Sequence, residues 1–326
     1  MTPEFSLISR HFTHRTRHTL LGVGDDAALI QPRRGHVLAI SADMLVEGRH
    51  FFKGADPEAL GHKTLAVNLS DLAAMGATPR WATLALALPR IDDAWLTAFS
   101  RGLMRLARGH GVDLVGGDTT RGPLNLCVQI MGEVPAAKAL RRDGARAGDD
   151  IWVSGTLGDA ALGVAARNNK ITPKKQLLTI ASQRLDRPTP RVALGTALRG
   201  IARSAIDISD GLLADLGHIC ERSQVAAVIE CDALPRSPLL QAVAANGATS
   251  HVAQAALLAG GDDYELCFTA PPSRRAVVAR AGKTTRTRVT RIGRTVHAPA
   301  GATTVAVIDA QGMPLRITQR GFDHFG

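Results

Sequence analysis

Aromatic side chains are scarce in this chain: eight Phe, three Trp and one Tyr in 326 residues. None is interleaved with the basic runs, so no stacking platform for single-stranded nucleic acid is visible. Cysteine is rarer still. Cys127, Cys220, Cys231 and Cys267 are widely spaced, form no C-x-x-C, and each lies in an apolar context (LCVQI, HICER, IECDA, ELCFT). That disfavours a zinc site and predicts buried free thiols in a reducing cytosol. No apolar run is long enough for a membrane-spanning helix. The N-terminus, MTPEFSLISRHFTHRTRHT, has charge but no apolar stretch with a cleavage site, so no signal peptide is expected and the chain reads as cytoplasmic. G-x-x-x-x-G-K-[ST], H-R-D…N, D-F-G and G-x-S-x-G are all missing. A P-loop enzyme and a protein-kinase fold are thereby excluded, and a Ser-His-Asp hydrolase is disfavoured.

What the chain does have is positive charge, formally +10, and 45% hydrophobic residues. The length and apolar content suffice for two domains. Helix-like and strand-like segments alternate, which predicts an α/β or α+β class. The basic residues are mostly dispersed arginines, and only RHFTHRTRH (10–18) and TTRTRVTRIGR (284–294) cluster. An RNA-binding protein is the reading that the charge alone suggests, but dispersal and the missing aromatics argue against it, and no nucleic-acid partner is expected. A basic surface also suits nucleotides and phosphate esters.

HVLAISADMLV (36–46) reads as a strand ending at Asp43. Asp56 followed by Pro57 is a helix start, and PEALGHKTLAVNLSDLAAMGA continues as a helix that stops at Gly76. DDAWLTAFSRGLMRLARGHG is a second helix, with Leu96, Phe99, Leu103 and Leu106 on one face. VDLVGGD and NLCVQIMGEV follow as strands. KALRRDGARAGDD (138–150) is the best domain boundary, which predicts domains at 1–140 and 141–326. Beyond it, DIWVSG (150–155) and DDYELCFTA (262–270) read as strands, and RVTRIGRTV as a strand or hairpin arm. TLGDAALGVAARN, LLADLGHICERS (212–223) and PLLQAVAANG (238–247) read as helices.

Six acidic clusters beside Gly, Ser or Thr carry the chemistry: Asp25 and Asp26 in GVGDDAAL, Asp43 in SADML, Asp71 in VNLSDLAAMGA, Asp118 in GGDTT, Asp207 and Asp210 in DISDG, and Asp262, Asp263 and Glu265 in GGDDYE. Any single Asp is most simply a helix cap or turn former, and Asp56 and Asp149 are assigned so. Converging carboxylates raise each other's pKa and destabilise a fold unless a cation joins them. The six together predict a shared site for hard ions, and Mg²⁺ is the one that travels with nucleotide phosphates. Gly155-Thr-Leu-Gly158 is either a phosphate cradle at a helix start or a plain turn. His50 stands out only because it directly follows SADMLVEGR.

These stretches, with EFSLISRHF (4–12), KTLAVNLSDLAAMGATP, GGDTTRGP, SAIDISDGLLADLGHI, GGDDYELCF and GFDHF (321–325), resemble the thiamine-monophosphate kinases over nearly the whole chain. The resemblance implies a fold shared with aminoimidazole-ribotide synthetase and selenophosphate synthetase. Such a fold has an N-terminal α/β domain with a mixed sheet that dimerises, a C-terminal α+β domain, and ATP in the cleft between them. It implies several Mg²⁺ ions on Asp26, Ser41, Asp43, Asp71, Asp118 and Asp207, with Asp210 at a further ion. It implies ATP contacts from Gly117, Asp118, Arg142 and Ser209, and thiamine monophosphate contacts from His50, Asp262 and Phe322. Two departures stand out. Ala42 replaces an expected Thr, so a metal contact there falls to backbone or water. Asp262 replaces the more usual Glu. Arg142 otherwise reads as a solvated loop arginine, and Phe322 as a tail anchor. The resemblance implies transfer of the ATP γ-phosphoryl group to thiamine monophosphate by a homodimer. The alternative is a sister ATP-dependent synthetase of the same fold. A selenophosphate synthetase would want a reactive Cys near the N-terminus, but none precedes Cys127.

Overall fold

The computed structural model describes residues 3–298, 302, 304–317, 319, 321 and 322, the side chains of 3–5 excepted. The chain divides into two compact units, Met1–Leu72 with Ala77–Ala137, and Ala73–Gly76 with Lys138–Gly326. Both are built on mixed sheets.

The first unit contains α1 (Pro3–His11), β1 (Thr19–Leu21), β2 (Leu29–Ile30), β3 (His36–Val46), α2 (Pro57–Ala74), β4 (Thr78–Leu88), α3 (Asp93–His110), β5 (Asp113–Arg121) and β6 (Asn125–Pro135). Its main sheet has the order β3-β6-β4-β5. All pairs are antiparallel except β4 with β5, which α3 connects as a crossover. The Asp56 carboxylate accepts the Ala59 N–H at 2.7 Å, Pro57 takes the first helical position, and Gly76 closes the end at φ 63°. α2 is buried almost all round, Lys63, Thr64, Asn68 and Ser70 included. Glycine makes that possible. A Cβ on Gly61 would lie 2.0 Å from the Phe99 carbonyl oxygen, and one on Gly102 would lie 1.9 Å from that of Glu58. The two helices therefore touch backbone to backbone, which fixes where α2 presents Asn68 and Asp71.

The second unit contains β7 (Asp150–Ser154), α4 (Asp159–Arg167), α5 (Lys175–Asp186), α6 (Val192–Ala197), β8 (Ser204–Asp207), α7 (Leu212–Ser223), β9 (Val225–Glu230), α8 (Pro238–Ala245), α9 (Ser250–Ala259), β10 (Leu266–Ala270), α10 (Arg275–Thr284), β11 (Val289–His297) and β12 (Val305–Ile308). Its sheet runs β12-β9-β11-β7-β10-β8, with β12 and β9 the parallel pair. Ile151, Val153, Ile206, Leu212, Leu216 and Ile219 are among the core side chains that pack α7 on the sheet. Asp150 enters β7 with its carboxylate held by Arg275 at 2.7 and 2.8 Å and by Arg291 at 2.9 Å. The hydrogen bond from Arg275 leads in holding that carboxyl below the usual range, against the opposing effect of burial.

Several sequence expectations shift. The 36–46 strand does not end at Asp43 but pairs with β6 as far as Val46. The strand expected from Asp262 starts at Leu266, because Asp262 and Tyr264 take left-handed backbone (φ 66° and 49°) that breaks a ladder. Leu106 is only half-buried, and Met104 and Ala107 complete the inner face of α3. Cys127 and Cys231 are half-buried rather than buried, although all four thiols are free. Asp149 is the buried turn residue expected, accepting the Arg146 N–H at 2.9 Å. No described helix is long and apolar enough to cross a membrane. The last three residues of GFDHF lie outside the described residues.

Gly61→Ala should lower unfolding stability by about 2 kcal/mol or more, read from the urea midpoint, because no flexible side chain can yield to the new methyl. Asp150→Asn should lower the melting temperature at neutral pH. A depressed folded-state pKa gives stability that is complete above the unfolded value and fades as pH falls through the folded one. The gap between the variant and the parent should therefore narrow as pH falls below the ordinary Asp value of about 4, followed by thermal melts.

Candidate active site

In the first unit the expected residues collect on β3 and α2. Strand alternation puts Ser41, Asp43 and Leu45 toward the interior, while Ile40, Ala42 and Met44 face out. The Ser41 hydroxyl donates to the Asp71 carboxylate, and the Asp43 N–H donates to the Asn68 side-chain oxygen at 3.1 Å. Asn68 and Asp71 lie three residues apart on one helix face, so α2 holds both partners. Ala42 points away from this group, in keeping with a backbone or water role at most. His50 accepts the Val46 N–H at Nδ1 (3.0 Å), which leaves the ring proton on Nε2, and its carbonyl accepts from the Lys63 ammonium. Asp25 and Asp26 are exposed, and the Asp26 N–H is held by the Asp25 carboxylate at 2.9 Å. Gly117 sits on β5 at φ 152°, where a Cβ would meet the Leu84 carbonyl oxygen at 1.8 Å, and Asp118 beside it is exposed.

The second unit brings together more of the set. The DISDG loop leaves β8 and enters α7. The GGDDYE loop packs along it: the Asp262 N–H donates to the Ser209 carbonyl and the Tyr264 N–H to the Ile208 carbonyl, both at 2.8 Å. The C-terminal segment completes the group, with the Phe322 N–H donating to the Asp210 carbonyl at 3.0 Å. Asp207, Ser209, Asp210, Asp262 and Phe322 are thus neighbours along three strands of backbone. Asp207 is buried, Ser209, Asp210 and Asp262 are half-buried, and the Phe322 ring is 49% exposed. Tyr264 donates its hydroxyl proton to the Asp262 carboxylate at 3.2 Å. Arg142 is not part of this group. Its carbonyl accepts from Ser223 at the far end of α7, about 18 Å along the helix axis from Gly211.

Sequence reasoning missed the residues that hold these loops. Asp215, on the first turn of α7, is 3% exposed, and one of its oxygens accepts the N–H groups of Ser209, Asp210 and Gly211 at 3.0–3.1 Å. Burial, with Asp210 next, pushes its carboxyl up to about 7. The visible hint was an acid in the first helical turn, where it can fold back on the preceding loop. Asp263 and Glu265, expected at the ligand face, point inward instead. Glu265 is fully buried and held by Arg184 at 2.6 Å, Arg191 at 2.5 and 2.6 Å, and the Ser154 hydroxyl. Asp263 accepts the Gly158 N–H at 2.8 Å, and burial raises its pKa well above the usual range. Of the GGDDYE acids, Asp262 alone is left partly accessible. Three of the N–H groups of the Gly155–Gly158 turn are taken up within the protein as well. Gly155 donates to Arg288, Leu157 to Pro235 and Gly158 to Asp263. The plain-turn alternative holds there.

The DISDG loop therefore turns three N–H groups inward onto one carboxylate, and the Gly155–Gly158 turn gives one to Asp263 and two to backbone carbonyls. Backbone N–H groups grip phosphate directly in other folds. Here the DISDG loop offers oxygen atoms instead, which suits cations. Among the described residues no three His, Cys, Asp or Glu side chains stand together as ready metal ligands.

Comparison with known proteins matches residues 24–134 to "AIR synthase related protein, N-terminal domain" and residues 146–306 to "AIR synthase related protein, C-terminal domain". A thiamine-monophosphate kinase of Salmonella typhimurium is 46% identical over 99% of this chain and 98% of its own length. The crystal structure of a thiamine-monophosphate kinase from Stenotrophomonas maltophilia K279a is similar with a TM-score of 0.82 and 47% identity, covering 93% of this chain and 94% of that one. A structure described as AaThiL complexed with AMPPCP and TMP is similar with a TM-score of 0.78 and 30% identity, over 98% of this chain and 96% of that one.

Asp215→Ala strands three loop N–H groups and should lower stability by about 2–4 kcal/mol. Hydrogen exchange at the amides of Ser209, Asp210 and Gly211 should accelerate more than at β8, which distinguishes loop release from global unfolding.

Proposed function

The chain belongs to the thiamine-monophosphate kinase family of AIR synthase related proteins, and on that premise we propose that it transfers the γ-phosphoryl group of ATP to thiamine monophosphate, giving thiamine diphosphate and ADP. The observation that carries the reading is full-length similarity at 46% identity to a protein of that name, joined to the grouping of Asp207, Ser209, Asp210, Asp262 and Phe322. Full-length likeness to the kinases also favours this over a sister synthetase of the same fold.

The acceptor is itself a phosphate with a second pKa of about 6, so it is largely ionised at neutral pH and needs no strong general base. What opposes reaction is charge: at about 4 Å, unit like charges repel by roughly 4 kcal/mol at an effective dielectric of 20. The donor set fits Mg²⁺, since Asp26, Ser41, Asp43, Asp71, Asp118, Asp207 and Asp210 supply only hard oxygen atoms. Bound Mg²⁺ would neutralise phosphate charge and align donor and acceptor. The protein's own share is positional. α2 holds Asp71 against Ser41, and Asp215 keeps Asp210 on a fixed loop. His50, held by the Val46 N–H at the end of β3, is placed for the substrate phosphate. Phe322 offers an exposed ring face to the cationic thiazolium, and Asp262 lies one loop away to orient it. Gly117 lets β5 pass close to the Leu84 backbone of β4 and so sets Asp118 beside the nucleotide, and Ser209 lies next to Asp210 for the same ligand.

A homodimer is part of the proposal. Leu20, Leu29, Val37, Ile40 and Met44 are exposed, and β3 is an open sheet edge with three of them on it. Such a patch is covered by a partner in most soluble proteins. The four free thiols support a reducing compartment, and we place the enzyme in the cytoplasm.

The test is thiamine diphosphate formation by purified protein from thiamine monophosphate and ATP, with and without Mg²⁺. Metal-dependent product is expected. Asp210→Asn and Asp71→Asn should each reduce kcat by on the order of 100-fold with an unchanged circular dichroism spectrum. Full activity in both variants would remove the multi-metal reading. ATP binding without product would move the chain to a sister reaction.

A further inference from the structure

The basic run at residues 10–18 has no task in the kinase reading, yet it lines a cavity of about 650 Å³ in the first unit. We propose that this cavity is a second anion site, which binds a small molecule through a diphosphate or triphosphate group. None of the residues assigned to the kinase reaction lines it. Asp113 begins β5 at the cavity wall, and Asp118 is five residues further along the same strand, about 17 Å away.

The wall is built rather than incidental. Asp113 is 5% exposed and accepts four hydrogen bonds: two from the Arg17 N–H at 2.8 and 2.9 Å, one from the His18 N–H at 2.6 Å, and one from the Thr19 hydroxyl at 2.8 Å. That clamp pins the 16–19 segment beside the end of α3. Arg15 and Arg17 line the cavity from this segment, and Arg108 lines it from the last turn of α3. Met104, Val112 and Leu114 form a buried apolar floor.

The three guanidiniums differ from their neighbours. Arg10 pairs with Asp93, Arg80 with Glu133, and Arg105 with Glu58. Among the described residues, Arg15, Arg17 and Arg108 have no carboxylate within ion-pair distance. They are exposed, and gathered around one concavity they repel each other unless an anion joins them. Two local negative features do not cancel them. Asp113 is one carboxylate against three guanidiniums, and its four hydrogen bonds come from backbone N–H groups and a hydroxyl rather than from an arginine side chain. The carbonyl end of α3 is capped, the Gly111 N–H donating to the Ala107 and Arg108 oxygens. Arginine forks match phosphate oxygens two at a time, so three around one cavity favour linked phosphates over a single small anion. The volume falls in the range of small-ligand pockets, and the concave shape favours a small molecule over a nucleic-acid strand.

The test uses the full chain with a metal chelator present, so that no dication holds phosphate elsewhere, and inorganic pyrophosphate as the probe. Calorimetry gives the affinity. Fluorine NMR of protein labelled with fluorotryptophan gives the place, because the Trp81 indole N–H donates to the His18 carbonyl at 3.2 Å beside the cavity wall. Saturable one-to-one binding with a shift of the Trp81 resonance is expected. R15A/R17A/R108A should bind at least about tenfold more weakly, with its melting temperature kept, while D118N should bind as the parent does. Absence of saturable binding, equal affinity in the triple variant, or equal loss in D118N would each overturn the site.

Discussion

One carboxylate decides what the DISDG loop can bind. Asp215 draws three consecutive N–H groups to a single oxygen and so removes the donors with which a glycine-rich turn would hold phosphate. Asp263 does the same to Gly158 at the start of α4. The half-buried side chains of Ser209 and Asp210 on the same loop carry only oxygen. A fold that hides its N–H groups in this way must meet a polyanion through cations or through arginine. On the proposed function, the many acids in a chain of formal charge +10 gain a common purpose as metal ligands.

The same economy governs GGDDYE. Three acids in four residues look equivalent on paper, yet they divide between two duties. Glu265 is sunk among Arg184, Arg191 and Ser154, and Asp263 is turned to the α4 start, which leaves Asp262 to face outward. The left-handed backbone at Asp262 and Tyr264 produces the division, because it reverses side-chain direction within two residues. It also gives a physical reason for Asp at position 262. A short side chain that can bond its own backbone tolerates φ near 60° better than a longer one.

Local features were legible in the sequence. The Asp56–Pro57 start of α2, the span of α7 and the Asp149 turn needed only caps, periodicity and turn chemistry. β4 carries TPRWATLALAL, a short apolar run that does not by itself say whether it is strand or helix. The inward acids were illegible for a different reason. Their partners lie far off in sequence, Arg184 and Arg191 for Glu265, and nothing local marks an Asp as buried. Spacing alone could not assign His50, Arg142 or Phe322. Resemblance supplied their roles, and the fold then separated Arg142 from the group that Phe322 joins.

The wiring of the second sheet sets when this chemistry can exist. β7 opens that unit, yet its neighbours in the sheet are β10 and β11, each over a hundred residues later in the chain. β8 likewise waits for β10, and the loop after β8 has no second loop to pack on until GGDDYE arrives. During synthesis the ribosome must therefore release most of the polypeptide before the central strand finds a partner. The carboxylates of the DISDG loop stay unassembled until then, and β7 spends that interval as an open edge. Long-range pairing of this kind slows folding and exposes the nascent chain to aggregation. A protein of this design is expected to gain more from slower translation or chaperone capture than from any single stabilising contact.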